Sequence, residues 1–213
     1  MHSDDEWAEM SLRDFQTALA SSSPTPGGGT AAAVSLGQAA ALTCMVADLT
    51  IGKEKWSAGW TDAEKAQEVA ISMFSRALDL ATDDSRAFDA VMMAYKLPKG
   101  DDEAIMIRNQ AIEQATLGAA EIPLQTARLA FSLLKTLPAL AKTGNGNAVT
   151  DVGVAALLSS AACKGALFNV DINLTGMEGE IAKGYTNEAS EILVASRQLS
   201  RECMDAVRAR LNS

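Results

Sequence analysis

Apolar residues in this chain recur at intervals of three and four, with no useful run of one-for-one alternation, and that period belongs to helices. Leu12, Phe15 and Leu19 share one face of a short amphipathic helix, for which Ser11 and Asp14 form a capping box. Residues 28–50 are small and almost uncharged, which predicts a buried helix stopping near Gly52. Thr61 with Glu64 makes a second capping box, opening a long helix through Ala66, Val69, Met73, Ala77 and Leu80. That helix runs on through Val91 and Ala94 and breaks at Leu97-Pro98-Lys99-Gly100. The next starts near Asp101, and Pro123 must kink or interrupt it, because proline removes a backbone bond and clashes with the preceding turn. Leu129, Leu133 and Leu134 extend it to Pro138. After the loop Gly144-Asn145-Gly146-Asn147, Thr150 or Asp151 caps a helix nearly as small and uncharged as that over 28–50. A final amphipathic helix covers about residues 185–211. The pattern predicts an all-α, single-domain bundle of long, partly kinked helices over residues 11–213, after a flexible polar N-terminus at 1–10.

Composition agrees with that pattern. Apolar residues make up 48% and aromatics only 5%, a balance that suits closely packed helices better than strands. The formal charge of −9 opposes nucleic acid or an anionic membrane as a partner. Residues 28–47 are about long enough to cross a bilayer, but Gln38 and a run of Ala, Gly, Ser and Thr argue for a soluble chain. Small residues let backbones approach closely, which suits a bundle core or a dimer core equally. Cys44, Cys163 and Cys203 form no close pair, and with no signal peptide they point to a reducing, cytoplasmic setting. They read as buried small hydrophobes. The sole histidine, His2, sits in the polar start, so neither a His-based metal site nor a Ser-His-Asp triad is expected.

Candidate chemistry gathers at a few places. Pro24 and Pro26 stiffen the approach to Gly27-Gly28-Gly29, and the glycines open a helix whose first N–H groups are unpaired at its positive end. Such a turn can bind an anion, or it can simply be a tight connection; local features leave both open. Asp83-Asp84 lie inside a helix, where adjacent carboxylates are usually solvated. Gly52-Lys53-Glu54-Lys55-Trp56 is a charged segment ending in an aromatic. Asn169 and Asn173 share a helix face, as structural clamps or as substrate contacts. Loops 24–29 and 144–147 each feed a small-residue helix, so both helix starts are expected to border one site.

Ser23-Pro24-Thr25-Pro26-Gly27-Gly28-Gly29-Thr30-Ala31-Ala32-Ala33 resembles the signature of the cyclodeaminase/cyclohydrolase family of folate enzymes. Further matches follow in order: Gly52-Lys53-Glu54-Lys55-Trp56, Asp84 with Ala87-Phe88 and Leu97-Pro98-Lys99, Gly144-Asn145 with Thr150-Asp151, and Phe168-Asn169-Val170 with Ile172-Asn173-Leu174. The resemblance implies an all-helical homodimer packed through its small-residue helices, with a tetrahydrofolate derivative held at the subunit interface and no metal. It implies closure of 5-formiminotetrahydrofolate to the 5,10-methenyl form with loss of ammonia, the reading it favours, or hydrolysis of the methenyl form to 10-formyltetrahydrofolate; a further alternative is a folate-binding helical dimer that has lost catalysis. With only a polar tail before Ser11, no formiminotransferase activity is expected. On the matched positions, Asp84 is expected as general acid/base, with Lys53 and Asp151 beside it in the catalytic set. Pro26, Gly27, Gly28, Gly29, Asn145, Asn169 and Asn173 are expected to bind substrate. Glu54 departs from a more uniformly basic segment, and Thr150 stands where serine is usual.

Overall fold

Two small-residue helices lie antiparallel at the centre of the computed structural model, which describes residues 7–212. They are α2 (Gly28–Thr50) and α6 (Val149–Leu174). Their close approach is visible at Gly165, where a Cβ would lie 3.5 Å from that of Ala32. Around them pack α3 (Trp60–Ile71), α4 (Met73–Tyr95), α5 (Asp102–Thr143) and α7 (Glu180–Leu211), while α1 (Leu12–Leu19) lies outside with no buried residue. Short 3-10 segments cover Trp7–Glu9, Glu54–Gly59 and Gly146–Ala148, and no strand occurs among the described residues. Leu36, Leu124, Leu133, Leu134, Val46 and Val170 are fully buried, so the core is aliphatic and removed from water. The all-α bundle expected from the periodicity is the fold observed.

Several boundaries differ from expectation, each for a local reason. The helix from Thr61 divides at Ser72, whose hydroxyl donates to Val69 O at 2.9 Å. No Thr61–Glu64 capping box forms: α3 begins at Trp60 with Gly59 as its cap residue. Gly59 has no room for a Cβ, which would lie 2.2 Å from Thr143 O, so a tertiary contact sets that helix start. Neither Thr150 nor Asp151 caps α6; both lie in its first turn, after Ala148. The last helix starts five residues early, at Glu180. Trp7 to Met10, expected within a loose tail, form a turn in which the Trp7 indole bonds Ser85. His2 lies outside the described residues.

Pro123 and Pro138 do not end α5, which runs unbroken from Asp102 to Thr143 with both prolines buried. Pro123 has no N–H for the carbonyl four residues back, that of Ala119. Asn173 on α6 replaces it, donating from Nδ2 to Ala119 O at 2.7 Å. A side chain from a neighbouring helix thus completes the broken ladder.

The bundle leaves apolar side chains of α2 and α6 uncovered. On α6, Val154, Leu157, Phe168 and Ile172 are 45–71% exposed, and on α2 Met45 and Leu49 are 39% and 42% exposed. Both α2 and residues 146–174 are long and apolar enough to cross a bilayer by length and composition, yet 56% of each such stretch is buried inside the chain. They are the core pair of the bundle.

Candidate active site

Asp84 lies where α4 passes the start of α2, and the glycine motif explains how it fits. A Cβ on Gly29 would sit 2.2 Å from Asp84 Oδ1, so a side chain at 29 and a carboxylate at 84 cannot share that space. The next residue holds the carboxylate: Thr30 Oγ1 donates to Asp84 Oδ2 at 3.0 Å, and the Thr30 backbone N–H also favours the ionised form. Burial outweighs both and pushes the Asp84 pKa above the ordinary carboxylate range. The positive end of α2 therefore faces an anion, and that anion is the chain's own Asp84.

Thr30 is itself fully buried and connected. Its hydroxyl accepts from Gly27 N at 3.4 Å and lies 3.3 Å from Ser85 Oγ, which in turn accepts from Trp7 Nε1 at 3.0 Å. Pro26 is buried beneath the turn. Across from it, a Cβ on Gly28 would lie 3.7 Å from Asn169 Nδ2, so Asn169 borders the same place. Asn169 Nδ2 donates to Gly165 O at 2.8 Å, and Asn173, one turn further along α6, spends its amide nitrogen on Ala119 O. Pro26, the three glycines, Asp84 and Asn169 thus form one constellation.

Lys53, Asn145 and Asp151 belong to the other end of the bundle. Asn145 ties its loop to the end of α2, its backbone N–H donating to Thr50 Oγ1 at 3.0 Å and its Nδ2 to Leu49 O at 2.8 Å. Its Oδ1 accepts from Asn147 N at 2.9 Å, closing the turn into α6. Lys53 is exposed at the head of the 3-10 segment, its carbonyl taken by Trp56 N. Asp151 is half-buried in the first turn of α6. Arg210 reaches over from α7 to the carbonyls of Lys142 and Gly144, with its guanidinium 5.6 Å from the Trp56 ring centre.

The starts of α2 and α6 therefore do not border one site within a subunit. The helices are antiparallel, and the 23 residues of α2 separate the two groups by roughly 33 Å at 1.5 Å per residue. Sequence reasoning passed over Ser85 and Trp7, and it treated Thr30 only as part of a motif. A buried hydroxyl next to a helix-borne aspartate was the available signal for Ser85; nothing in the sequence pointed to Trp7. Among the described residues no three His, Cys, Asp or Glu side chains gather as a metal site would require.

Known proteins share this architecture. Residues 11–207 match the family described as formiminotransferase-cyclodeaminase. The methenyltetrahydrofolate cyclohydrolase of Methylorubrum extorquens is 35% identical over 202 residues, covering 94% of this chain and 97% of that protein. The formimidoyltransferase-cyclodeaminase of Rattus norvegicus is 32% identical over 84% of this chain, which spans only 33% of the rat protein. In structure, the formiminotetrahydrofolate cyclodeaminase of Thermotoga maritima superposes with a TM-score of 0.85 at 28% identity, covering 96% of this chain and 98% of that one. The chain belongs to the formiminotransferase-cyclodeaminase family.

Proposed function

We propose that this chain is a folate one-carbon enzyme acting on the carbon between N5 and N10 of tetrahydrofolate, with Asp84 moving the proton. The observation that carries this reading is the carboxylate itself: burial raises its pKa toward the operating range, and one face of it is held by Thr30. Its setting beside the glycine turn and Asn169 fits a ligand that is oriented by amides and backbone. Three unpaired, buried thiols support a reducing, cytoplasmic setting.

In the hydrolytic reading, water adds to the methenyl carbon as Asp84 takes one of its protons. The same proton passes to N5 as the C–N5 bond breaks, the adduct's hydroxyl proton goes to solvent, and a formyl group remains on N10. The end-to-end cyclohydrolase relative supports this direction. In the second reading N10 attacks the protonated N5-formimino carbon, and Asp84 carries the N10 proton to the nitrogen that leaves as ammonia. The end-to-end likeness to a cyclodeaminase structure supports that one. Both pass through a tetrahedral carbon, so one proton carrier serves either.

The open apolar face supports a homodimer. A two-fold pair uses the same patch on both copies, and antiparallel stacking of the α2/α6 faces brings the Asp84 end of one copy to the Lys53 end of the other. Lys53, Asn145 and Asp151 then join the site across the interface, where Lys53 grips the glutamyl carboxylates and Asp151 and Asn145 hold the pterin. Purified protein given 5,10-methenyltetrahydrofolate and 5-formiminotetrahydrofolate separately tests the reading. Loss of methenyl absorbance with the first substrate is the expected result. Ammonia and a rise in methenyl absorbance with the second select the cyclodeaminase direction, and no change with either overturns the proposal.

A further inference from the structure

We propose that Trp7 is a positioning residue for Asp84, acting through Ser85 and Thr30 to reserve one carboxylate oxygen as an acceptor and leave the mobile proton to the other. This rests on the reading that Asp84 transfers the proton. The chain of contacts is Trp7 Nε1 to Ser85 Oγ at 3.0 Å, Ser85 Oγ to Thr30 Oγ1 at 3.3 Å, and Thr30 Oγ1 to Asp84 Oδ2 at 3.0 Å. Ser85 and Thr30 are buried, at 7% and 0% exposure, so neither hydroxyl is free to turn to bulk water.

The ends of this chain differ in kind. An indole N–H only donates, an ionised carboxylate only accepts, and a hydroxyl has one proton to give. Trp7 can only donate, so Ser85 accepts there; Thr30 has one proton and gives it to Asp84 Oδ2, so the proton between the two hydroxyls is that of Ser85. All bonds point the same way, and aligned hydrogen bonds polarise one another. When Asp84 becomes protonated the indole still fills one lone pair of Ser85, which favours the same direction along the relay. Oδ2 remains occupied as an acceptor, and the proton resides on Oδ1, the oxygen over Gly29.

Trp7 is held for this task by packing as well as by its N–H. Its ring lies against the small cluster of Ala33, Leu80 and Ala81 and meets Phe15 edge-on at 6.5 Å between ring centres. It precedes the stretch that matches the family, so the device belongs to the N-terminal turn of this chain. The other influences on Asp84 are burial and Thr30. Among the described residues no charged side chain adds to that balance, whether Asp83 and Arg86 on α4 itself, Glu9 of the first turn, Asp48 of α2, Glu68 of α3 or Glu121 and Arg128 of α5.

The test uses Trp7→Phe, which keeps the ring and removes the donor, alongside Ser85→Ala and the double variant. The carboxyl signal of Asp84 is titrated by carbon-13 NMR in γ-labelled protein, assigned by its absence in Asp84→Asn, and the acid limb of kcat/KM is measured in parallel. Without the donor the hydroxyls are free to reverse, so in Trp7→Phe the Asp84 midpoint rises by about half a unit, a threefold change in proton affinity. The acid limb moves with it, KM changes little, and the double variant titrates like Ser85→Ala alone. An unmoved midpoint in Trp7→Phe, or additive shifts in the double variant, overturns the proposal. A midpoint that moves while the kinetic limb stays fixed upholds the relay and instead overturns Asp84 as the proton-transfer group. Folding is checked by thermal unfolding, and if Trp7→Phe does not fold, the same midpoint rise is required of Ser85→Ala.

Discussion

At Asp84 burial and hydrogen bonding pull in opposite directions, and burial wins. A carboxylate whose proton affinity is raised in the folded chain destabilises the fold once it ionises. The Asp84 contribution to stability is therefore fullest below the unfolded-state pKa, near 3.8, and is lost as pH rises through the higher folded value. Asp84→Asn keeps the acceptor for Thr30 and removes the charge. It is expected to raise Tm at neutral pH and to leave it little changed in acid. Turnover should fall by about 10²-fold or more with folate binding nearly intact. Thermal scans at pH 4 and pH 7, with steady-state assays, check both; near-normal turnover in the variant rules out the assignment. The residues of this pair were legible in the sequence, but their relation was not. Thr30 and Asp84 are 54 positions apart, and local chemistry alone makes Asp83-Asp84 a solvated pair and leaves the glycines as either an anion site or a tight connection. The missing information was the crossing of α4 over α2.

Among the elements, the small-residue helix was legible to the residue, whereas the periodic helices from Thr61 and before Leu211 differ at their bounds. The small-residue helix over Gly28–Thr50 has the bounds its composition predicts, because an uncharged run between a triple glycine and Gly52 has few alternatives. Helix α5 shows why other predictions failed. Proline rules are local, whereas the carbonyl that Pro123 leaves without a donor is satisfied by Asn173 from another helix. That pairing carries its own prediction. Asn173→Ala leaves the Ala119 carbonyl buried and unpaired, at a cost of about 1–3 kcal/mol. Pro123→Ala restores a backbone N–H to the same carbonyl, so the double variant is expected to recover much of that loss. Urea unfolding of the two single variants and the double closes the cycle, and strictly additive effects contradict the account. The Gly59 start of α3 was illegible for the same reason, since its close approach to Thr143 and not propensity sets it, whereas the Ser72 break carries a local bond to Val69.

At the scale of the whole molecule, residues expected in one site divide between the two ends of α2. Pro26, the glycines, Asp84 and Asn169 occupy one end; Lys53, Asn145 and Asp151 occupy the other. No shift within the helical pair brings them together, since α2 and α6 are antiparallel and packed along their length. Val154, Leu157, Phe168 and Ile172 are exposed, and the proposed homodimer would bring two copies face to face so that each completes the other's centre. Sequence alone could not separate these arrangements, because spacing along a chain does not say which helix ends are neighbours. In the proposed dimer Asp84 of one copy works with Lys53 of the other, and mixing subunits of two variants distinguishes that pairing from a centre built within one chain. Asp84→Asn and Lys53→Ala are prepared as poorly active homodimers and then allowed to exchange subunits in equal amounts. Half of the resulting dimers are mixed, and each carries one intact centre, so activity on 5,10-methenyltetrahydrofolate should rise to about a quarter of the wild-type value. Activity that stays at the average of the two parent variants contradicts the shared centre.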